Sequence, residues 1–238
     1  RIWNLETGVL AAEIPTGEGE NRDVSLSPNG HFVAVAKEDG RVRVTEIGSG
    51  MVQHQFRPNP GVEVIAWSAD SSRVATGSYS GTVRVWSLDD GILRSEIETG
   101  MGQIGDVCFL RNEAVAAVGT SGQLLILDVV AGAEMRHLAT HTLTHGVLAV
   151  SPEETILAVG SGDGSIKVLD VPSLLKPTVF WHETDVRHVD FSRDGKTLLA
   201  AGGGGTVTSW NLDAGTCYTF SGDGKRARVY ATQDSLAH

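Results

Sequence analysis

A repeat constrains this chain more than any other feature. The alternating runs RIWNL, VRVTEI, VRVWSL, LLILDV, IKVLDV and VTSWNL place Trp3, Thr45, Trp86, Leu127, Leu169 and Trp210 in one column, with steps of 42, 41, 41, 42 and 41 residues. A second column, Ser27, Ser68, Leu110, Ser151 and Ser192, steps by 41, 42, 41 and 41, mostly inside the turn-like tetrapeptides SPNG, SADS, SPEE and SRDG. Two columns sharing one period over five units describe a chain made of one supersecondary unit, each copy burying its apolar face against the next.

Each unit holds four short runs, for example ILRSEI, IGDVCFL, AVAAVG and QLLILDV, separated by Gly, Ser, Asp and Asn. Period-2 alternation broken by turn residues every few positions predicts strands, and no stretch follows the 3.6-residue period of a helix. The fold class is therefore all-β.

A unit of about 41 residues with four strands resembles the WD-repeat (tryptophan-aspartate repeat) β-propeller family, and VATGSYSGTVRVWSLDDG is its best single match. The resemblance covers residues 1 to about 220. It implies one blade per unit, five complete four-stranded blades, and partial terminal strands that could form an incomplete sixth. The family's polar tetrad joins a His before the first strand, a Ser or Thr and an Asp around the second-to-third turn, and the third-strand Trp. Carried over by column, the fourth full repeat keeps His141, Ser161 and Asp163 but has Leu169 for Trp. The fifth keeps His182 and Trp210, with Gly202 and Gly204 at the other two places, and the second keeps Ser78 and Trp86. These are the expected structural tetrad remnants. Where Leu or Gly replaces a partner, the expectation is that the need for a hydrogen bond disappears with it.

Residues 221–238 break the period. SGDG recurs at 221–224 from its first place at 161–164, about half a unit early, so that Tyr230 stands where the next third-strand aromatic would otherwise come near 251. Residues 1–5 and 9–14 read as a half blade. Two readings follow: KRARVY, at 225–230, is a closing strand laid beside RIWNL, or residues 221–238 are a tail on one portion of a larger propeller. The opening at Arg1 in place of Met agrees with a targeting segment or further blades lying outside this sequence.

Composition bounds the partners. Hydrophobic residues make up 41% of the chain and charged residues 20%, which describes a globular protein with an ordinary core. The formal charge of -10 argues against a nucleic-acid surface and against docking on anionic lipid, since both need clustered Lys and Arg. Lys225, Arg226 and Arg228 form the one local basic spot. Two cysteines, Cys108 and Cys217, are too few for a disulfide framework, and the expected compartment is the reducing cytoplasm. No run of 18 apolar residues predicts a membrane-spanning helix.

Several motifs suggest chemistry and lose it in context. His137, His141 and His145 would converge on a metal only on a helix, whereas the repeat puts His137 on an outer strand and the others in an inter-blade loop. WHETDVRH at 181–188 lacks the second His that a zinc-protease helix needs. GSGDGS and AAGGGGT turn one strand into the next, so they do not open a phosphate-binding helix. No Ser sits in a nucleophile-elbow frame. The sequence therefore predicts no enzyme, no metal and no cofactor.

What the resemblance implies instead is a non-catalytic scaffold for protein–protein interaction, binding other proteins or peptides through loops held on a stiff frame. Inter-blade loops and second-to-third-strand turns share one face, and register places Tyr79 and Trp181 there, with Lys37, Glu38 and Arg57 nearby. Large aromatics and Arg are the natural anchors of such a face. Two alternatives stay open: a small-ligand binder or propeller enzyme working at a channel mouth, and an interaction or regulatory domain of a longer multidomain chain.

Overall fold

The computed structural model describes every residue except 5, 58–60, 112–113, 140–145, 172, 174–176, 223–226 and 233–238, and describes 133–135, 139, 222 and 227–232 by backbone alone. The described chain packs as two compact units. One is Arg1–Ile104 with Val129–Ala133, the other Gly105–Asp128 with Glu134–His238.

The first unit opens with β1 (Ile2–Trp3) and β2 (Leu10–Ala12), an antiparallel pair in register Ile2↔Ala12 and Trp3↔Leu10. This is the half blade expected from residues 1–5 and 9–14. Two antiparallel sheets follow, each with its strands in sequence order: β3 (Asn21–Leu26), β4 (Phe32–Lys37), β5 (Val42–Glu46) and β6 (Val52–Phe56), then β7 (Val62–Trp67), β8 (Arg73–Ser78), β9 (Thr82–Ser87) and β10 (Leu93–Glu98).

The second unit holds three more sheets. They are β11 (Ile104–Leu110) to β14 (Ala133–Ala139) through β12 (Ala114–Gly119) and β13 (Gln123–Asp128), and β15 (Val147–Val150) to β18 (Thr178–Trp181) through β16 (Ile156–Gly160) and β17 (Ser165–Asp170). The last is β19 (Val186–Phe191), β20 (Thr197–Gly202), β21 (Thr206–Asn211), β22 (Thr216–Gly222) and β23 (Ala227–Thr232). Five four-strand sets and an all-β chain are as the period predicts. The sole helical feature among the described residues is the single 3-10 turn Gly203–Gly205.

Part of the tail forms a strand, β23. β23 pairs antiparallel with β22, from Cys217↔Thr232 to Gly222↔Ala227, and so adds a fifth strand to the last sheet. Tyr230 is thus opposite Thr219 on a fourth strand, not in a third-strand position. Lys225 and Arg226 lie outside the described residues.

The serine column has a local cause. At the first turn of a blade the Ser hydroxyl accepts the amide five residues on, from Phe32 to Ser27 at 2.9 Å, Arg73 to Ser68 at 2.9 Å, Ile156 to Ser151 at 3.1 Å and Thr197 to Ser192 at 2.9 Å. In three of these turns the same hydroxyl donates to Asn29, Asp70 or Asp194. Donation by Ser68 and by the Ser72 amide holds the Asp70 carboxyl down to about 2. A further recurrence closes the third turn: Gly8, Gly50, Gly91 and Gly215 each donate an amide to the carbonyl four residues earlier, with φ between 65° and 71° that favours glycine.

Apolar side chains fill the space between successive sheets. In the first unit Ala34, Val42, Val44 and Phe56 pack with Val62, Ile65, Trp67 and Val74. In the second, Leu124, Ile126, Leu148, Leu157 and Leu169 form one cluster and Phe180, Val186, Val189, Leu198 and Trp210 another. β12 is buried on both of its faces, which is why it reads as the near-continuous apolar run AVAAVG.

Candidate functional site

Two kinds of segment meet at one end of the β3–β6, β7–β10 and β19–β23 sheets: the turn between the second and third strands and the loop that leads into the first. Backbone bonds tie them together. In the first unit the Glu38 amide donates to Glu20 at 3.1 Å, and the Tyr79 amide to Gly61 at 2.7 Å. In the second the Gly203 amide donates to Asp185 at 3.2 Å, and the His182 amide, in the loop before β19, donates at 2.8 Å to Gly164 in the turn of the preceding sheet. The loops that would meet a partner are therefore fixed by hydrogen bonds.

Tyr79 lies in the first unit and is 66% exposed, on a turn buttressed by Ser78, whose hydroxyl contacts Ser80 and accepts the Thr82 amide at 3.0 Å. Gly61 sits directly behind it: a Cβ there would come within 3.2 Å of the Tyr79 Cβ, and its φ is 98°. Glu38 is exposed and paired with Arg22 at 3.0 Å, and Arg57 is exposed at the end of β6. Trp181, in the second unit, ends β18 opposite Ser165 and is 55% exposed.

Lys37 does not belong to this exposed set. It is 4% exposed, and its ammonium donates to the carbonyls of Gly17 (3.2 Å), Glu18 (2.7 Å) and Gly19 (3.3 Å). An ammonium has three N–H donors and no acceptor, so three convergent carbonyls satisfy it and pin the loop in front of β3 to the end of β4. Position in the turn suggested exposure; the donor count explains the burial.

The fifth sheet carries a buried polar cluster around His182. Its Nδ1 lies 2.8 Å from the Thr208 hydroxyl and its Nε2 2.9 Å from the Thr206 hydroxyl. Thr208 continues to Thr219 at 3.1 Å, and Thr206 to Thr184 at 3.1 Å and to the Gly203 carbonyl at 3.2 Å. The Nε2–H tautomer satisfies this arrangement, with Thr206 accepting from the ring and Thr208 donating to it. Burial lowers the His182 pKa, against the opposing pull of Glu183 and Asp185.

No group of three His, Cys, Asp or Glu among the described residues is placed to hold a metal ion. His182 and His188 of the HETDVRH run are separated by their roles. The first has both nitrogens on threonine hydroxyls, and the second is exposed on β19. His137 is on β14, and His141 and His145 lie outside the described residues. Burial pushes the Cys108 thiol up, with Asp106 and Glu154 adding to it, so it stays protonated and unreactive at neutral pH.

Comparison with known proteins agrees with this geometry. Residues 1–70 match the anaphase-promoting complex subunit 4 WD40 domain, and residues 132–170 and 175–211 match the WD domain, G-beta repeat. The chain belongs to the WD-repeat family. It is 26% identical over 223 residues to apoptotic protease-activating factor 1 of Mus musculus, covering 90% of this chain and 17% of that protein. It is 25% identical over 285 residues to WD repeat-containing protein 90 of Homo sapiens, covering 100% of this chain and 16% of that one. With the small ribosomal subunit protein RACK1y of Oryza sativa subsp. japonica it shares 28% over 167 residues, 66% of this chain and 46% of the relative. The chain thus spans about a sixth of the length of the first two.

As a WD-repeat chain it departs from the family's tetrad. In the second full blade Ser78 serves its own turn, and the buried Trp86 Nε1 has no hydrogen-bond partner. In the fifth, Trp210 Nε1 is likewise unpartnered although the side chain is 1% exposed. The expectation that a Gly at 202 removes the need for a bond is therefore wrong for the indole: the acceptor is lost and the N–H stays buried. The cause is steric. A Cβ on Gly202 would lie 2.5 Å from His182 Nε2 and 2.4 Å from the Thr184 hydroxyl. With the second-strand position emptied, His182 turns to Thr206 and Thr208 on the third strand, which the tetrad pattern does not search. In the fourth blade Asp163 accepts the Ser165 amide at 2.9 Å and the Ser161 hydroxyl faces the Asp163 amide at 3.5 Å, so both residues hold the turn.

Two aspartates also escaped the sequence reading. Asp23 accepts the Val24 amide at 2.7 Å and, through its other oxygen, the Ile65 amide of the next blade at 2.8 Å. Asp106 does the same with Val107 at 2.8 Å and Leu148 at 2.8 Å. Each lies four residues before a second-column position, Ser27 or Leu110, and each reaches 42 residues ahead. That repeated offset was the available signal.

Proposed function

We propose that this chain is a non-catalytic interaction platform whose partners are proteins or peptides, bound at the end of the sheets formed by second-to-third-strand turns and inter-blade loops. The observation that carries the reading is Tyr79: a large aromatic held two-thirds exposed on a turn whose backbone is fixed from both sides. Exposing such a ring gains nothing for folding, and a rigid amphipathic ring loses little entropy when a partner covers it. Membership of the WD-repeat family supports the same reading. Trp181 is a second anchor of this kind in the other unit, and the exposed Glu38 and Arg57 supply charge in the unit of Tyr79. The cytoplasm as compartment, and a place within a longer chain, belong to the same proposal; the short span of the long relatives supports the latter.

The test is quantitative affinity capture with the wild-type chain and with Tyr79→Ala and Trp181→Ala, alongside thermal melting of each. The expected result is a loss of about tenfold or more in a discrete set of captured proteins, the size of effect an interface anchor gives, with melting unchanged. Identical capture by all three proteins, or a variant that no longer folds, would overturn the surface assignment.

A further inference from the structure

One position holds an arginine in two successive blades, with a different partner in each. Arg84, on β9, faces Glu96 on β10 and holds it with two hydrogen bonds of 2.9 and 3.1 Å. Arg43, on β5, occupies the equivalent place 41 residues earlier, and there the facing residue on β6 is Gln55. The arginine is retained and the carboxylate is not.

Arg43 consequently keeps a half-buried guanidinium with no carboxylate on it. Among the described residues its one hydrogen bond is a long contact of 3.5 Å to the Pro15 carbonyl. It lines a cleft walled by residues 16–18 and by Lys37, Arg41 and Gln55. Lys37 gives all its protons to neutral carbonyls, so its charge is solvated without being neutralised. Arg41 is paired with Asp39, and the sole carboxylate among the lining residues is the exposed Glu18. A positive cleft in a chain of net charge -10 is an acceptor for a negative group, and the planar fork of an arginine matches a carboxylate in both shape and charge.

We propose that this cleft receives a carboxylate side chain of an acidic peptide, which takes on Arg43 the place that Glu96 takes on Arg84. The inference rests on the interaction-platform reading and adds the chemistry of the partner. A nucleic acid fits less well, because no exposed aromatic lines the cleft to stack a base.

The probe is a fluorescein-labelled hexaglutamate peptide titrated with the full chain at low salt and read by anisotropy, with hexaglutamine and hexathymidylate as comparisons. Saturable binding of hexaglutamate alone is expected. Gln55→Glu supplies the carboxylate internally and should weaken that binding by about tenfold or more, as should Arg43→Gln, because a charge-assisted pair is replaced or removed. Met51→Glu makes the same change in net charge at an exposed position near the other end of the strand and should leave it within about twofold. Gln55→Glu keeps the question answerable if Arg43→Gln does not fold, because Gln55 is exposed. Absent binding, equal binding of hexathymidylate, indifference to Gln55→Glu, or an equal loss with Met51→Glu would each overturn the proposal. Capture that depends on Tyr79 but not on Gln55→Glu overturns only the cleft, and the converse overturns only the role of Tyr79.

Discussion

At the scale of single residues, His182 shows how much a pattern conveys and where it stops. The column placed His182 and Trp210 near one another, and their rings do meet edge to face with centroids 6.5 Å apart. The threonines that satisfy the imidazole were not legible. Thr206 and Thr208 read as ordinary β-formers on an alternating strand, and only the space left by Gly202 makes them partners. The buried ring also makes stability depend on pH. Burial lowers its folded pKa below the unfolded value of 6.5, so on acidification the unfolded chain gains a proton that the folded chain resists. Stability is full above that value and declines as pH falls through it, until the folded ring also protonates. Urea melts of the wild type from pH 7.5 to 5 should show this decline, with a contribution from this one site of at most about 1.4 kcal/mol per pH unit. In His182→Gln the slope should flatten. An unchanged slope would mean that the ring titrates in the folded chain as it does unfolded.

At the scale of elements, the strands interlock by exchanging bulk. Gly160, at the end of β16, faces Val186 on β19, and a Cβ on it would come 2.6 Å from Val186 Cγ1. Gly77 on β8 stands in the same way against Ile104, at 2.6 Å. Between these two blades the sizes are reversed: Val118 on β12 fills the position and Gly146 recedes, where a Cβ would meet Val118 Cγ2 at 2.3 Å. Gly77 and Gly160 stand at strand ends and Gly146 just before β15, yet a turn does not account for them, because none of the three has a positive φ. Their cause lies in the neighbouring blade, a contact roughly 27 residues away that local patterning does not reach. Gly160→Ala should therefore overpack the junction and cost about 1–3 kcal/mol in chemical denaturation. Adding Val186→Ala should return part of that loss although the valine substitution alone is destabilising. Simple additivity of the two in a double-mutant cycle would show that the sheets relax apart and that bulk exchange does not set their spacing.

At the scale of the whole molecule, the period tells which residues are equivalent but not which are covered. Val24 and Leu26 on β3 occupy the columns of Val189 and Phe191 on β19. The first pair is 63% and 53% exposed, the second 2% and 8%. The same columns are buried in the second blade as Ile65 and Trp67 and in the third as Val107 and Phe109. The alternating run NRDVSL thus predicts its strand and its face correctly, while the burial of that face depends on what packs beside it. The tail repeats the point: alternation in ARVYAT supports a strand, and its partner follows from the short connection that folds it back on β22. Apolar residues in one column should consequently differ in cost. Leu26→Ser should change stability by no more than about 0.5 kcal/mol, the range of an exposed site. Phe191→Ser empties a cluster shared with Val189, Leu198 and Trp210 and should cost about 3–5 kcal/mol. Thermal and urea unfolding of the two variants compares them directly. A Leu26→Ser loss approaching that of Phe191→Ser would mean that β3 is covered in solution, and the exposed columns of the first blade would then have to be counted as core.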